Sequence, residues 1–85
     1  MMYEIKLHPK VVRFLDKCER QLHDRIRNKI FLLGDDPFRI LEHFSGQDFY
    51  KLRIGNYRAL VDVDISRKII FVRHLEHRSK IYKNL

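Results

Sequence analysis

The chain has 85 residues, 45% of them apolar and 12% aromatic, with a single cysteine and a formal net charge of +7. That is room for one domain, residues 1–85, with apolar content above the disordered range. It excludes an intramolecular disulfide and a cysteine-based zinc site, and nothing in it approaches the ~20 apolar residues of a membrane helix.

The charge is unevenly spread. The first 48 residues carry nine Lys/Arg against eight Asp/Glu, and the rest carry nine against three. A basic C-terminal half points to an anionic partner, nucleic acid or an acidic protein segment; the alternative is a solvated basic surface. A membrane surface fits worse, because the basic half reads as strand and not as an amphipathic helix. The first ten residues lack the apolar run of a signal peptide, so a cytoplasmic location is expected.

Residues 3–7 alternate apolar and polar, as a short half-buried strand does. Pro9 then suits a first helical turn. Val11, Leu15, Cys18 and Leu22 follow at helical spacing, widened by Val12 and Phe14, and Cys18 reads as a small buried hydrophobe. Ile26, Ile30 and Leu33 form a second stripe, with Asp24 as the expected N-cap between the two helices. Two helices linked this tightly predict an antiparallel helical hairpin, its outer face carrying Arg13, Lys17, Arg20, Arg25, Arg27 and Lys29. Gly34-Asp35-Asp36-Pro37 ends the second helix, and residues 38–48 read as a connection with a turn at Ser45-Gly46. The period then changes to two. Residues 49–54, 57–64 and 68–75 predict three strands, the first pair joined at Gly55-Asn56 and the second pair turning near residues 65–67. The expected fold is α+β: an N-terminal strand, a helical hairpin, then a three-stranded antiparallel meander, in the order β-α-α-β-β-β.

The two-residue turn sets the register. Ile54 faces Tyr57, Arg53 faces Arg58, Leu52 faces Ala59 and Lys51 faces Leu60. Parity places Leu52, Ile54, Tyr57, Ala59, Val61 and Val63 toward the helices, and Lys51, Arg53, Arg58, Leu60 and Asp62 on the other face. Two arginines directly opposite one another are destabilising by up to roughly 1 kcal/mol. A phosphate site accounts for such an arrangement; the alternative is long basic side chains splaying into water. The last segment, residues 74–82, is expected to follow the final strand and fold back over the same sheet. It supplies His74, His77, Arg78, Lys80 and Tyr82: imidazole for proton transfer, arginine for phosphate, tyrosine for stacking on a base. Two histidines without cysteine or a placed carboxylate make an incomplete metal site, so no metal or cofactor is expected. There is no glycine-rich nucleotide loop and no nucleophile motif. Chemistry, if any, is proton transfer and charge stabilisation at a phosphodiester.

The run Phe49-Tyr50-Lys51-Leu52-Arg53-Ile54-Gly55-Asn56-Tyr57-Arg58, followed by ALVDVD and then by VRHLEHRSKIY ending at Tyr82, resembles the RelE/ParE toxin superfamily of type II toxin–antitoxin systems. The late His77-Arg78 and Tyr82 bring it closer to the RelE-like branch, and a RelE-like fold is implied over nearly the whole chain. That branch consists of ribosome-dependent mRNA endonucleases acting at the A site; the ParE-like branch poisons DNA gyrase. By resemblance, Lys51 matches a catalytic lysine, Arg58 the arginine after the hairpin tyrosine, Arg78 the late arginine and Tyr82 the C-terminal tyrosine. Arg53 stands where many members have a second lysine, and arginine does not act as a base at ordinary pH, so its role narrows to electrostatics.

The implied reaction is metal-independent attack of an RNA 2′-hydroxyl on the adjacent phosphate. Arg53, Arg58 and Arg78 would stabilise the developing charge. Lys51 is the candidate general base, with adjacent cations disfavouring its charged form, and His77 is its rival. Tyr82 would stack on the base or support the leaving group. Arg73 and Lys80 join Lys51, Arg53, Arg58 and Arg78 as RNA-binding residues. The implied partners are the ribosome with its A-site mRNA and a small, acidic, helical antitoxin, through which alone the chain would oligomerise. Phe14 and Phe31 on the helical hairpin are candidates for that antitoxin contact. Two other readings stay open: a gyrase inhibitor, and a nucleic-acid-binding relative without toxicity.

Overall fold

The computed structural model describes residues 2–43, 46 and 48–81. The chain runs β1 (Glu4–Leu7), α1 (Pro9–Lys17), α2 (Arg20–Leu32), α3 (Pro37–Ile40), β2 (Glu42–His43), β3 (Tyr50–Ile54), β4 (Tyr57–Asp64), β5 (Ile69–His77) and α4 (Arg78–Ile81).

α1 opens at Pro9, where a missing N–H costs nothing. His8 caps it: its Nδ1 accepts the Lys10 N–H at 3.0 Å. The break between α1 and α2 falls at Cys18-Glu19, both in extended conformation, and not at Asp24. The apolar spacing from Val11 through Ile26 is continuous across the break, so periodicity does not reveal it. Asp24 lies inside α2, 4.0 Å from Arg20 and 3.2 Å from His23. Leu22 accordingly belongs to α2. Cys18 packs at the edge of the core, and burial pushes its thiol above the ordinary range, as for an inert small hydrophobe.

The five strands form one mixed sheet in the order β1-β5-β4-β3-β2. β3, β4 and β5 make the expected antiparallel meander. β1 joins its far side in parallel, from Glu4↔Ile69 to Leu7↔Val72, and β2 adds two residues to β3. Within the segment expected as a bare connection, α3 and β2 are therefore additions. Gly46 has φ +76, as a turn requires; Ser45, its expected partner, lies outside the described residues. The β3–β4 register is the one the turn implies, Ile54↔Tyr57 through Lys51↔Leu60. Positive φ occurs at Gly55 (+58) and not at Asn56, the pattern of a hairpin turn with glycine first. The Arg25 guanidinium packs on this turn, its Nη2 only 2.6 Å from where a Gly55 Cβ would stand. Gly55→Ala is expected to lower stability by about 1–2 kcal/mol, read from denaturant midpoints, because alanine is disfavoured in the left-handed region and displaces Arg25.

β5 runs to His77, so residues 74–77 continue the last strand instead of folding back over the sheet. Its pairing with β4 slips: Leu60 faces His74 but Val61 faces Val72, leaving Arg73 as the extra residue of a bulge. The bulge inverts parity. Ile70 and Val72 point to the helices before it, and Leu75 does so after it. These join Leu52, Ile54, Ala59 and Val61 against Val11, Leu15, Ile26, Ile30 and Leu33 to make the core. The β4–β5 turn is held by Asp64, whose carboxylate accepts the Arg67 N–H at 3.0 Å and the Ser66 hydroxyl at 2.9 Å. These bonds hold the Asp64 carboxyl below its ordinary value. Their stabilisation is present above the unfolded carboxyl range and is lost as pH falls through the folded one. No helix among the described residues is long and apolar enough to cross a membrane.

Candidate functional site

The face of the sheet turned away from α1 and α2 carries the predicted cations. Arg53 and Arg58 are directly opposite, and Lys51 faces Leu60, which in turn faces His74 on β5. The like-charge pair is relieved in two directions. Arg58 is 7% exposed, and its Nη1 donates to the Gly55 and Tyr57 carbonyls, both at 2.8 Å. The guanidinium thus knits the turn. Arg53, with its side chain 61% exposed, leans toward Glu42 on β2, Nε to Oε1 3.8 Å. Lys51 meets the other oxygen of the same carboxylate at 3.5 Å. One short strand therefore places a single acid between two cations.

The rest of the face is balanced in the same way. Arg73, standing out at the bulge, pairs with Asp62 at 3.3 Å and lies over the Phe49 ring, 5.9 Å from its centroid. Glu76 is the cross-strand neighbour of Arg58. His74 Nε2 is buried 3.3 Å from Glu76 Oε1 without the alignment of a hydrogen bond. Sequence alone gave Glu42, Glu76 and Phe49 no role and His74 only a general one. Glu42 was hidden because a two-residue strand has no periodicity. The placement of His74 and Glu76 was hidden because their face depends on the bulge.

The remaining predicted residues divide. Arg78 begins α4, and its N–H donates to the Asn56 carbonyl at 2.7 Å, tying the end of β5 to the hairpin turn. His77 is not on the cationic face. It pairs across the strand with Tyr57, its ring edge-on at 5.4 Å, and Tyr57 in turn meets Phe14 of α1 at 5.8 Å. His77 Nδ1 accepts the Ser79 N–H at 3.2 Å and lies 2.9 Å from the Ser79 hydroxyl, so it caps α4. Lys80 lines a groove of about 370 Å³ that also takes in Lys10, Phe14, Tyr57 and His77. This groove runs beside the part of β5 beyond Val72, where pairing with β1 stops. Tyr82 lies outside the described residues. Among the described residues no group of three or more His, Cys, Asp or Glu is placed to hold a metal ion.

What the face can do follows from its make-up: fixed guanidinium and ammonium groups beside exchangeable carboxylates bind an anion that displaces the acids.

Residues 5–82 match the model of the family described as ParE toxin of type II toxin–antitoxin system, parDE. Among solved structures, the archaeal RelE–RelB complex of Pyrococcus horikoshii superposes with a TM-score of 0.79 at 26% identity, covering 94% of this chain and 99% of that one. The toxin–antitoxin complex RelBE2 of Mycobacterium tuberculosis gives 0.78 at 20% identity, covering 92% and 100%. The intact RelBE complex of E. coli gives 0.72 at 18%, covering 88% and 95%; the last two show the shared fold. A DNA protection during starvation protein of Streptococcus suis is 26% identical over 68 residues, and the chain spans 39% of that relative's length. With the family pattern running from β1 to the end of the chain's basic segment on a RelE-like fold, this chain belongs to the ParE toxin family of type II toxin–antitoxin systems.

Proposed function

We propose that this toxin is an RNA endonuclease that acts on mRNA at the ribosome, using the cationic face of β3 and β4. The observation that carries the reading is the placement of Lys51, Arg53 and Arg58 on one face, with the start of α4 at Arg78 bonded to the same turn. The reaction is attack of a 2′-hydroxyl on the adjacent phosphorus, which breaks the bond to the 5′ oxygen and leaves a 2′,3′-cyclic phosphate and a 5′-hydroxyl. The phosphorane gains negative charge, and preorganised cations do most to lower the barrier of such a step. Arg53, Arg58 and Arg78 supply the charge; Lys51, acting as the neutral amine once the phosphate has displaced Glu42, takes the 2′-hydroxyl proton, and the leaving 5′ oxygen takes its proton from water. His77 is the weaker candidate for that proton, because it faces the helices beside Tyr57. Tyr82 is proposed to stack on a base near the cleaved bond, and Arg73 and Lys80 to add attraction for the strand.

Glu42 holds the place of the phosphate in the free protein. Glu42→Gln is expected to raise affinity for single-stranded RNA about 2–5-fold at low salt, as befits a partly exposed ion pair. Its advantage should shrink with added salt in an anisotropy titration.

The partner of the free toxin is a cognate antitoxin, as in the RelE–RelB complexes that share this fold. Val12, Phe31 and Leu32 are exposed on the helices. Phe31 and Ile30 border a cleft of about 140 Å³ with Ile5, Leu7 and Leu15. An amphipathic antitoxin helix with an acidic polar face suits that surface and the charge of +7.

The second reading, a DNA gyrase inhibitor, is favoured by the ParE family match itself. Purified ribosomes loaded with a defined mRNA, with a gyrase supercoiling reaction in parallel, separate the two. New mRNA ends in the A-site codon support the first reading. Intact mRNA with blocked supercoiling replaces it with the second.

A further inference from the structure

We propose that the groove of about 270 Å³ lined by His8, Phe49, Leu60, Arg73 and His74 is a nucleobase slot, taking a base of the strand whose phosphates meet the hairpin cations. The inference rests on the RNA-directed reading above and adds what the protein recognises beyond phosphate.

The slot lies on the cationic face, one step along the sheet. Leu60 belongs to both places: it lines the slot and is the cross-strand neighbour of Lys51 on one side and His74 on the other. Phe49 lies immediately before β3, two residues ahead of Lys51, a spacing on the order of one nucleotide of an extended strand. A chain of RNA held at Lys51 and Arg53 therefore brings a neighbouring base to Phe49.

The walls suit a base better than another phosphate. Among the described residues, Arg73 is the only lysine or arginine lining the slot, and it is already matched by Asp62 at 3.3 Å. Its guanidinium lies over Phe49, 5.9 Å from the ring centroid, and this cation–aromatic pair supplies the kind of surface on which bases stack. Leu60, buried, supplies an apolar floor. His8 has a fixed tautomer: its Nδ1 accepts the Lys10 N–H at 3.0 Å, which puts the proton of the neutral ring on Nε2 and makes that nitrogen a donor for a base edge. His74 keeps its Nε2 toward Glu76, 3.3 Å away, so what it adds to the wall is the remainder of its ring. The bulge creates this arrangement, because the extra residue it inserts is Arg73 itself.

The test uses the full chain and two labelled probes of equal length and charge: a single-stranded hexaribonucleotide, and a hexamer of abasic ribose phosphates. In fluorescence anisotropy, the natural chain is expected to bind the base-bearing strand roughly 5- to 150-fold more tightly than the abasic one, the range of one stacked base. Phe49→Leu, which keeps apolar bulk without a π face, should lose most of that preference while binding the abasic strand unchanged. Phe49→Trp should keep it. If Phe49→Leu retains the preference, or weakens both probes equally, the slot is overturned and the phosphate-binding face stands. If the natural chain binds neither probe, the slot and the RNA-directed reading fall together.

Discussion

Arg58→Ala is expected to lower the unfolding free energy by about 2–3 kcal/mol and to abolish activity. The stability loss comes from two hydrogen bonds of a charged donor to the Gly55 and Tyr57 carbonyls, made by a side chain that is 7% exposed. For a domain of this size each kcal/mol shifts the thermal midpoint by about 4–8 °C, so the change is visible by circular dichroism. Arg58→Lys separates the two roles. The ammonium keeps the charge and reaches a carbonyl, but it has no planar fork for a phosphate. It is expected to recover most of the stability and little of the activity.

Arg53→Ala is the complementary case. The side chain is largely exposed, and its pairing with Glu42 at 3.8 Å is of the surface kind. Stability should move by no more than about 0.5 kcal/mol. The cleavage rate should fall about 10²- to 10³-fold, the cost of removing one preorganised group from a developing oxyanion. Arg53→Lys should recover much of that rate, since position 53 acts through charge. An Arg53→Ala protein that folds normally and cleaves normally would remove Arg53 from the site.

The hairpin was legible in the sequence because its register depends on two local facts, a two-residue turn and a period of two. From these, Arg53 opposite Arg58 and Lys51 opposite Leu60 follow without any long-range knowledge. The features that escaped are the ones that depend on distant partners or on irregularity. The parallel pairing of β1 with β5 joins Glu4 to Ile69, far apart in the chain, and no local pattern encodes it. The bulge at Arg73 sends His74 and Glu76 to the cationic face and leaves His77 beside Tyr57, so a face count along β5 fails at that residue. Glu42 acts from a strand of two residues. Burial of Arg58 was also not legible, since parity tells which face a side chain leaves from and not that it turns back onto the carbonyls of its own turn.

These corrections change the chemistry expected of the face. Read from sequence, the cations stood as an open positive cluster. In the fold they are balanced by Glu42 and Asp62, so the free protein holds its cations in order without an anion bound. A phosphate competes with a carboxylate for each place, which makes affinity dependent on how many places one strand can fill at once. A strand presented by a ribosome would fill several together, which gives the proposed action at the ribosome a physical basis.

The central claim is that this face stabilises charge at a cleaved phosphodiester. It is tested most directly by the end groups of mRNA incubated with the purified toxin on programmed ribosomes. The expected products are a 2′,3′-cyclic phosphate on the upstream fragment and a 5′-hydroxyl on the downstream one, both formed about 10²- to 10³-fold more slowly with Arg53→Ala. Full-length mRNA in the same reaction, or fragments ending in a 3′-hydroxyl and a 5′-phosphate, would contradict it.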